Sequence, residues 1–344
     1  MNKIYDIVFI TNLPAFYKIN LYNAIARNKD ILVIFTGDTA EMRNRDFFSG
    51  KMLFESKFLD STSILKKLQS VNRILKTITY KELIIGGWDS LPLWLSAFIS
   101  NKKKNSLVIE SSYIESVSNG LKGLIKKLFI KRIHRVYASG KGQRFLALRL
   151  GFKGEIIITK GVGIFNIVEQ PAYISKKIVR NFIYVGRLSP EKNLAFLIDV
   201  FNKLPSLKLH IVGFGPEEKK LQSLAYDNCI FYGAVENRKL SELYQKADVF
   251  ILPSLSEPWG MVVEEALNNG LPVLVSDKVG CADELVIPNY NGLVFNCMKP
   301  ADLLEKVDIM IQPVYYNKLR YNIASMNFSE IASKQVNCYL NNEH

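Results

Sequence analysis

The sequence predicts an α/β chain made of two Rossmann-like halves, and three observations predict it. The clearest is residues 249–276. There the apolar run VFIL stops at Pro253, a polar loop follows, and Met261, Val262, Ala266 and Leu267 recur at helical spacing until Gly270 and a second apolar run, PVLV. The second is an alternation of apolar runs and helical patterns that begins at Ile4 and starts afresh at Asn181. The third is length: 344 residues exceed one ordinary domain and suit two of roughly 150.

In the first half, residues 4–10 read as a strand, 11–17 as its exit loop and 18–28 as a helix; 31–36 is the second strand. Residues 40–63 are polar, with a strand expected near Phe54, and 64–79 is helical with Lys66, Lys67, Arg73 and Lys76 outward. The strand 82–85 empties into Gly86-Gly87-Trp88-Asp89, where glycines allow close backbone approach to a ligand. Helix 92–100 and strand 106–109 follow, the latter running into Glu110 and Ser111. In helix 119–135, Leu121, Leu124, Ile125, Leu128 and Phe129 share a face fringed by Lys122, Lys126, Lys127 and Lys131. That pattern reads first as a crossover helix with a solvated basic face and is compatible with a membrane-surface helix as well. Strand 136–139, helix 142–150 and a last strand with its exit loop over 156–163 close the half, and 166–177, holding Pro171, is the expected linker.

The second half repeats the alternation: strand 181–185, loop 186–193, helix 194–204, strand 207–212, loop 213–216, helix 217–225, strand 229–232 and helix 238–247. Pro258 sits where the helix after residues 249–252 should start, a position that tolerates its missing N–H. The N-terminus of such a helix, beyond the carboxyl end of a strand, favours an anion. Glu257 and Glu265 flank it, and a carboxylate there also has an ordinary role as a cap. After a turn near Asn291-Gly292, helices are expected over 302–310 and 329–340.

Composition narrows the function. The net charge of +13 is uneven: residues 1–165 carry 27 Lys/Arg against 12 Asp/Glu, and 166–344 carry 18 against 20. A basic half implies an anionic partner such as a membrane surface or a phosphorylated substrate, and the absence of a nucleic-acid-binding motif ranks nucleic acid last. No apolar run approaches the ~18 residues of a membrane span, and the N-terminus lacks a signal-peptide layout. Cys229, Cys281, Cys297 and Cys338 form no CxxC pair, which fits a reducing cytoplasm and argues against zinc. No Asp-x-Asp pair occurs, so no metal or other cofactor is expected.

The segment SEPWGMVVEEALNNGLPV, with Glu257 and Glu265 separated by seven residues, resembles the paired-glutamate motif of the retaining glycosyltransferases of family 4. The resemblance is carried by the second half and by layout alone in the first. It implies a GT-B architecture: two Rossmann-like domains facing a central cleft, an acceptor-binding domain over 1–165, a linker over 166–177, a nucleotide-sugar domain over 178–318, and a C-terminal helix over 319–344 crossing back to the first domain. It further implies a metal-independent hexosyl transfer from a UDP- or GDP-sugar. Gly186, Arg187, Lys192 and Asn193 resemble the family's phosphate clamp, and Arg187, Lys192 and Glu257 are the implied catalytic residues. Fixed cations at the leaving diphosphate stabilise the transition state more than they tighten binding. Donor contacts fall by resemblance on Glu265 (ribose hydroxyls), Gly213, Gly215, Val235, Trp259, Gly260 and Met261, while Glu264 reads as a solvated helix residue.

Many family members have a glycine pair in the first βα loop. Here Pro14, Phe16 and Tyr17 stand instead, as acceptor contacts or as residues packed beneath the loop. His134 reads as helix surface, His210 as core and His344 as tail, so the acceptor-side polar role falls to Asp89, Glu110 or Ser111, beside Trp88. The expected partners are a nucleotide-sugar, a glycan or lipid-linked acceptor in bacterial surface polysaccharide synthesis, and an anionic membrane, with the enzyme peripheral on the inner face. The alternatives are a nucleotide-sugar epimerase or hydrolase on the same scaffold and a non-catalytic scaffold of a glycan pathway. Arg187, Lys192, Glu257 and Glu265 together speak against the last.

Overall fold

A computed structural model of the chain describes residues 3–37, 45–59, 63–111, 116 and 119–340. The chain divides into two units: unit 1 runs to Ile164 and resumes at Glu330, and unit 2 is Phe165–Ser329.

Unit 1 contains β1 (Ile4–Thr11), α1 (Phe16–Ile25), β2 (Ile31–Phe35), β3 (Glu55–Phe58), α2 (Ile64–Thr77), β4 (Thr79–Ile85), α3 (Leu91–Ile99), β5 (Asn105–Ile109), α4 (Gly120–Ile130), β6 (Arg135–Ala138), α5 (Lys141–Arg149) and β7 (Glu155–Ile158). The strands form one sheet in the order β3-β2-β1-β4-β5-β6-β7, every pair parallel. A parallel sheet is covered on both faces, so its strands are apolar throughout rather than alternating. One face packs Val8, Ile10, Leu83 and Leu107 beneath α2 to α5, through Val71, Leu93, Phe129 and Leu146. The other packs Ile7, Phe9, Val33 and Tyr137 against α1 and the chain's last helix.

Unit 2 contains β8 (Asn181–Val185), α6 (Leu194–Asn202), β9 (Lys208–Val212), α7 (Glu218–Leu224), β10 (Cys229–Gly233), α8 (Asn237–Lys246), β11 (Val249–Leu252), α9 (Met261–Asn268), β12 (Val273–Ser276), α10 (Ala282–Leu285), β13 (Gly292–Phe295), α11 (Pro300–Met310) and α12 (Pro313–Ile323). Its parallel sheet runs β10-β9-β8-β11-β12-β13. Residues 166–177 are fastened to this unit: Val168 exchanges hydrogen bonds with the Asn268 amide, and the Lys176 ammonium lies 2.5 Å from the buried Asp248 carboxylate. The last helix, α13 (Phe328–Leu340), begins in unit 2 and lies in unit 1 from Glu330 on, where Tyr339 stacks on Tyr137 with ring centroids 4.6 Å apart.

Several elements depart from the expectation. The helix expected over 119–135 stops at Ile130, and Arg135 instead opens β6, drawn in by Glu155 at 2.7 Å and buried Glu82 at 3.4 Å. His134 is therefore an exposed turn residue rather than helix surface. The helix expected from Pro258 starts three residues later, because Gly260 takes a left-handed φ of +97° and caps it there. The segment PVYYNKLRYNI, whose aromatic and polar residues mask a helical period, forms α12 with Pro313 in its first turn and Tyr316, Leu319 and Ile323 buried. Residues 292–295 form a sixth strand where the sequence shows only a turn.

Candidate active site

In unit 2 the chain order reverses between β8 and β11, so the loops leaving those two strands flank the crevice in which open parallel sheets bind ligands. The β8 exit carries Gly186, Arg187 and Lys192; the β11 exit carries Glu257, Trp259 and Gly260 and leads into α9 at Met261.

Backbone packing fixes the first loop. The Gly186 N–H donates to Val212 O at 3.0 Å, and Leu188 N–H donates to Phe214 O at 2.9 Å. Gly213 adopts φ +136°, and a Cβ there would be driven into the Gly186 carbonyl; one on Gly215 would strike the backbone of Leu188. The two glycines allow the loops to touch main chain to main chain. The Tyr184 hydroxyl donates to Arg187 O at 2.7 Å. The Arg187 guanidinium meets Glu191 at 3.1 Å, and Ser189 donates to the same carboxylate oxygen at 2.7 Å.

The second loop is strapped across its back. Glu257 N–H donates to Lys278 O, Gly280 N–H donates to Glu257 O and Cys281 N–H donates to Trp259 O. The side chains of the two loops then meet: the Lys192 ammonium lies 2.5 Å from a Glu257 carboxylate oxygen. Asn193, at a left-handed φ of +57°, donates from its amide to Pro253 O and Cys297 O, both at 3.2 Å, which holds Lys192 in place. Glu265, half-buried on α9, accepts from the Tyr244 hydroxyl at 3.3 Å, and burial pushes its carboxyl up to about 7. Glu264 is buried rather than solvated: α9 turns that position inward, Trp259 Nε1 donates to it at 3.0 Å, and burial pushes its carboxyl up to about 8. His210 is half-buried in β9, its ring nitrogens at 2.9 Å from the Tyr232 hydroxyl and 3.3 Å from Asn181 Oδ1, rather than core. Val235 lies on the segment between β10 and α8.

In unit 1, Phe16 is buried and packs edge-on against Tyr17 and Phe47, with centroids 5.7 and 5.8 Å away; Pro14 is also buried. Trp88 turns toward α4, against Phe129 and 5.2 Å beneath the Lys126 ammonium. Asp89 is exposed and accepts from the Asn12 amide at 3.3 Å; Ser111 is half-buried. Glu110 meets the buried Lys18 ammonium at 3.0 Å. Placement of His344 falls outside the described residues. Sequence reasoning passed over Tyr184, Glu191, Tyr244 and Lys18. Glu191 carries a signal, being a carboxylate between Arg187 and Lys192, whereas Lys18 reads as an ordinary helix lysine.

Residues 171–325 match the model of the family described as glycosyl transferases group 1. The sulfoquinovosyl transferase SQD2 of Arabidopsis thaliana is 35% identical over 134 residues, which cover 38% of this chain and 26% of that protein. The chain spans between about a quarter and three fifths of the length of the curated relatives it matches, 26% for SQD2 and up to 60%. The apo form of the lipopolysaccharide outer core galactosyltransferase WaaB superposes with a TM-score of 0.72 at 18% identity, covering 98% of this chain and 100% of that one. Anabaena HepE in complex with UDP and glucose superposes with a TM-score of 0.73 at 16% identity and the same coverages. Over residues 171–325 the chain is therefore similar to the glycosyl transferases group 1 family, and its pair of Rossmann-like units has the GT-B fold.

Proposed function

We propose that the chain is a retaining, metal-independent glycosyltransferase that moves a hexosyl group from a UDP- or GDP-sugar to a glycan acceptor. The observation that carries the reading is the ion pair of Lys192 with Glu257 across the reversal point between β8 and β11, beside the N-terminus of α9, with Arg187, paired to Glu191, on the same β8 exit loop. As the glycosidic C–O bond breaks, its electron pair goes to the leaving diphosphate, the acceptor hydroxyl oxygen bonds to the anomeric carbon on the same face, and the hydroxyl's proton passes to the departing diphosphate oxygen. Arg187 forks onto the phosphate oxygens, Lys192 adds a point charge, and the first N–H groups of α9 complete the cradle. Fixed donors aimed at developing charge are the largest single contribution in such reactions. Glu265 accepts from the ribose hydroxyls and Glu257 from the donor sugar. HepE, with its bound UDP and glucose, supports the donor class.

The test is turnover of a panel of UDP- and GDP-sugars with glycan acceptors, with and without EDTA, reading the anomeric configuration of the product by NMR. Retention with undiminished rate in EDTA is expected. Inversion, or loss of rate restored by Mg²⁺ or Mn²⁺, overturns the mechanism. Release of free sugar alone marks a hydrolase, interconversion of the donor an epimerase, and inertness toward all donors a scaffold.

A specific observation favours a lipid-linked acceptor and a peripheral place on the inner membrane face. Gly123, Phe129 and Ile130 bury the inner side of α4, while Leu121, Leu124, Ile125 and Leu128 stand 74, 56, 42 and 50% exposed. Lys122, Lys127 and Lys131 are exposed beside them. A crossover helix needs no such outer stripe, and its lysine fringe complements an anionic leaflet. Among the described residues no helix is long and apolar enough to cross a membrane. Polysaccharide assembly at the cell surface fits this arrangement, and WaaB, a lipopolysaccharide outer core galactosyltransferase, supports it.

A further inference from the structure

The two cations of the β8 exit loop each carry a carboxylate. Lys192 is paired to Glu257, and Arg187 is paired through Nη2 to Glu191 Oε1 at 3.1 Å. The Glu191 carboxylate is a fixed post. It lies in a single 3₁₀ turn, Pro190–Lys192, that ends at left-handed Asn193. The Ser189 hydroxyl donates at 2.7 Å to the same Oε1 that Arg187 meets. The main chain is tied as well, because the Leu255 N–H in the β11 exit loop donates to Glu191 O at 2.9 Å. Burial alone would raise the Glu191 carboxyl. The Ser189 hydroxyl, its own backbone N–H and the charges of Arg187 and Lys192 outweigh that and hold it below the usual glutamate range, so it is ionised at neutral pH.

An ordinary exposed ion pair is two long side chains that meet for little gain, and it needs no such anchoring. Arg187 is anchored too, at its backbone, where the Tyr184 hydroxyl donates to its carbonyl at 2.7 Å. With that carbonyl and the Glu191 carboxylate both held, the freedom left lies in the Arg187 side chain. Its guanidinium can stay on Glu191 or fork onto phosphate oxygens, and the carboxylate waits for it in either case.

The chemistry gives such a competitor a use. A terminal phosphate sheds its second proton near pH ~6. The free nucleoside diphosphate therefore carries more negative charge at neutral pH than the nucleotide-sugar, in which that phosphate is esterified. Cations fixed for the transition state then grip the product harder than the donor. We propose that Glu191 is a positioning residue that competes with the nucleoside diphosphate for the Arg187 guanidinium and so speeds its release. The role rests on the glycosyltransferase reading and adds to it a step that follows sugar transfer.

The experiment measures UDP and GDP on the full chain, affinity by calorimetry and dissociation by surface plasmon resonance. Glu191→Gln keeps the side chain's size and an acceptor oxygen and removes the charge. The nucleotide that the parent binds should bind this variant at least fivefold tighter, mostly through slower dissociation. Its Tm should be nearly unchanged, since Arg187 and Glu191 are each 38% exposed. A structural role alone gives the opposite direction, weaker binding with a lower Tm. In an Arg187→Ala background, Glu191→Gln should change affinity less than twofold, because the guanidinium at issue is gone. Asp199→Asn, which neutralises an exposed carboxylate on α6, should leave affinity as it was. Unchanged or weaker binding in Glu191→Gln, or an equal gain without Arg187 or in Asp199→Asn, would overturn the proposal. A parent that binds neither nucleotide defeats the proposal together with the transferase reading. A parent that transfers sugar while Glu191→Gln binds nucleotide no tighter defeats this proposal alone. Tightening as expected in a protein that transfers no sugar defeats the transferase reading alone.

Discussion

The Lys192 ammonium and the Glu257 carboxylate form an ion pair at 2.5 Å, with 10 and 15% of their side chains exposed. Removing one partner from so enclosed a pair leaves the other charge uncompensated, at a cost of about 3–5 kcal/mol. Lys192→Ala should therefore lower both Tm and turnover. Lys192→Met/Glu257→Gln should recover Tm but not turnover, since the cation facing the diphosphate is still missing. Melting curves and kcat on the two variants separate the roles.

Arg187 presents the opposite case. Its partner Glu191 and its own side chain are each 38% exposed, and pairs in such settings contribute about 0–1 kcal/mol. Arg187→Ala should leave Tm nearly unchanged while slowing turnover by about 2–4 kcal/mol in the transition state. Near-normal kcat would remove Arg187 from the phosphate clamp.

Glu264 and Glu265 make the protein pH-sensitive. Burial raises the Glu264 carboxyl to about 8 in the folded chain, so the folded state binds the proton more tightly than the unfolded one. Stability then falls as pH rises from the ordinary glutamate range to about 8 and is flat above. The loss attributable to this group is roughly 5 kcal/mol. Glu264→Gln keeps the acceptor for Trp259 Nε1 and should flatten that slope in urea titrations across pH. Glu265, raised by burial to about 7, must be ionised to accept from two ribose hydroxyls. Affinity for UDP or GDP should fall below that pH, and Glu265→Gln should abolish the dependence.

Two glycines of unit 2 separate conformational from steric demand. Both hold positive φ, but a Cβ on Gly233 meets nothing within 4 Å, whereas one on Gly213 collides with the Gly186 carbonyl. Gly233→Ala should cost about 1–2 kcal/mol, the penalty of a left-handed alanine. Gly213→Ala should cost more and weaken nucleotide binding as well, by pushing the Gly186–Leu188 loop away. Equal effects in calorimetry and melting would show that the loop contact carries no weight.

The outer stripe of α4 should govern membrane binding. Leu124→Ser/Leu128→Ser and Lys122→Glu/Lys127→Glu/Lys131→Glu should each abolish sedimentation with anionic vesicles at low salt, with little change in Tm because the side chains are exposed. Phe129→Ala, from the buried side of the same helix, should lower stability by about 3–5 kcal/mol. Equal recovery with anionic and neutral vesicles would refute the membrane proposal.

Read alone, the sequence determined the alternation of strands and helices in both halves and the loops on which Arg187, Lys192, Glu257 and Glu265 sit. Apolar runs, helical spacing, glycines and prolines are local signals, and they survive without knowledge of neighbours. It missed α12, whose period is blurred by aromatic residues, and ran α4 five residues too far. Only the tertiary structure decided which charges meet. Lys192 and Glu257 stand 65 residues apart and are joined because β11 lies beside β8 in the sheet. Lys18 reaches Glu110 because the sheet order places the exits of β1, β4 and β5 side by side. The inward turn of Glu264 and the outward turn of Leu121, Leu124 and Leu128 were equally closed to periodicity. A period names the residues that share a face, and only packing against the rest of the chain selects the face that is buried.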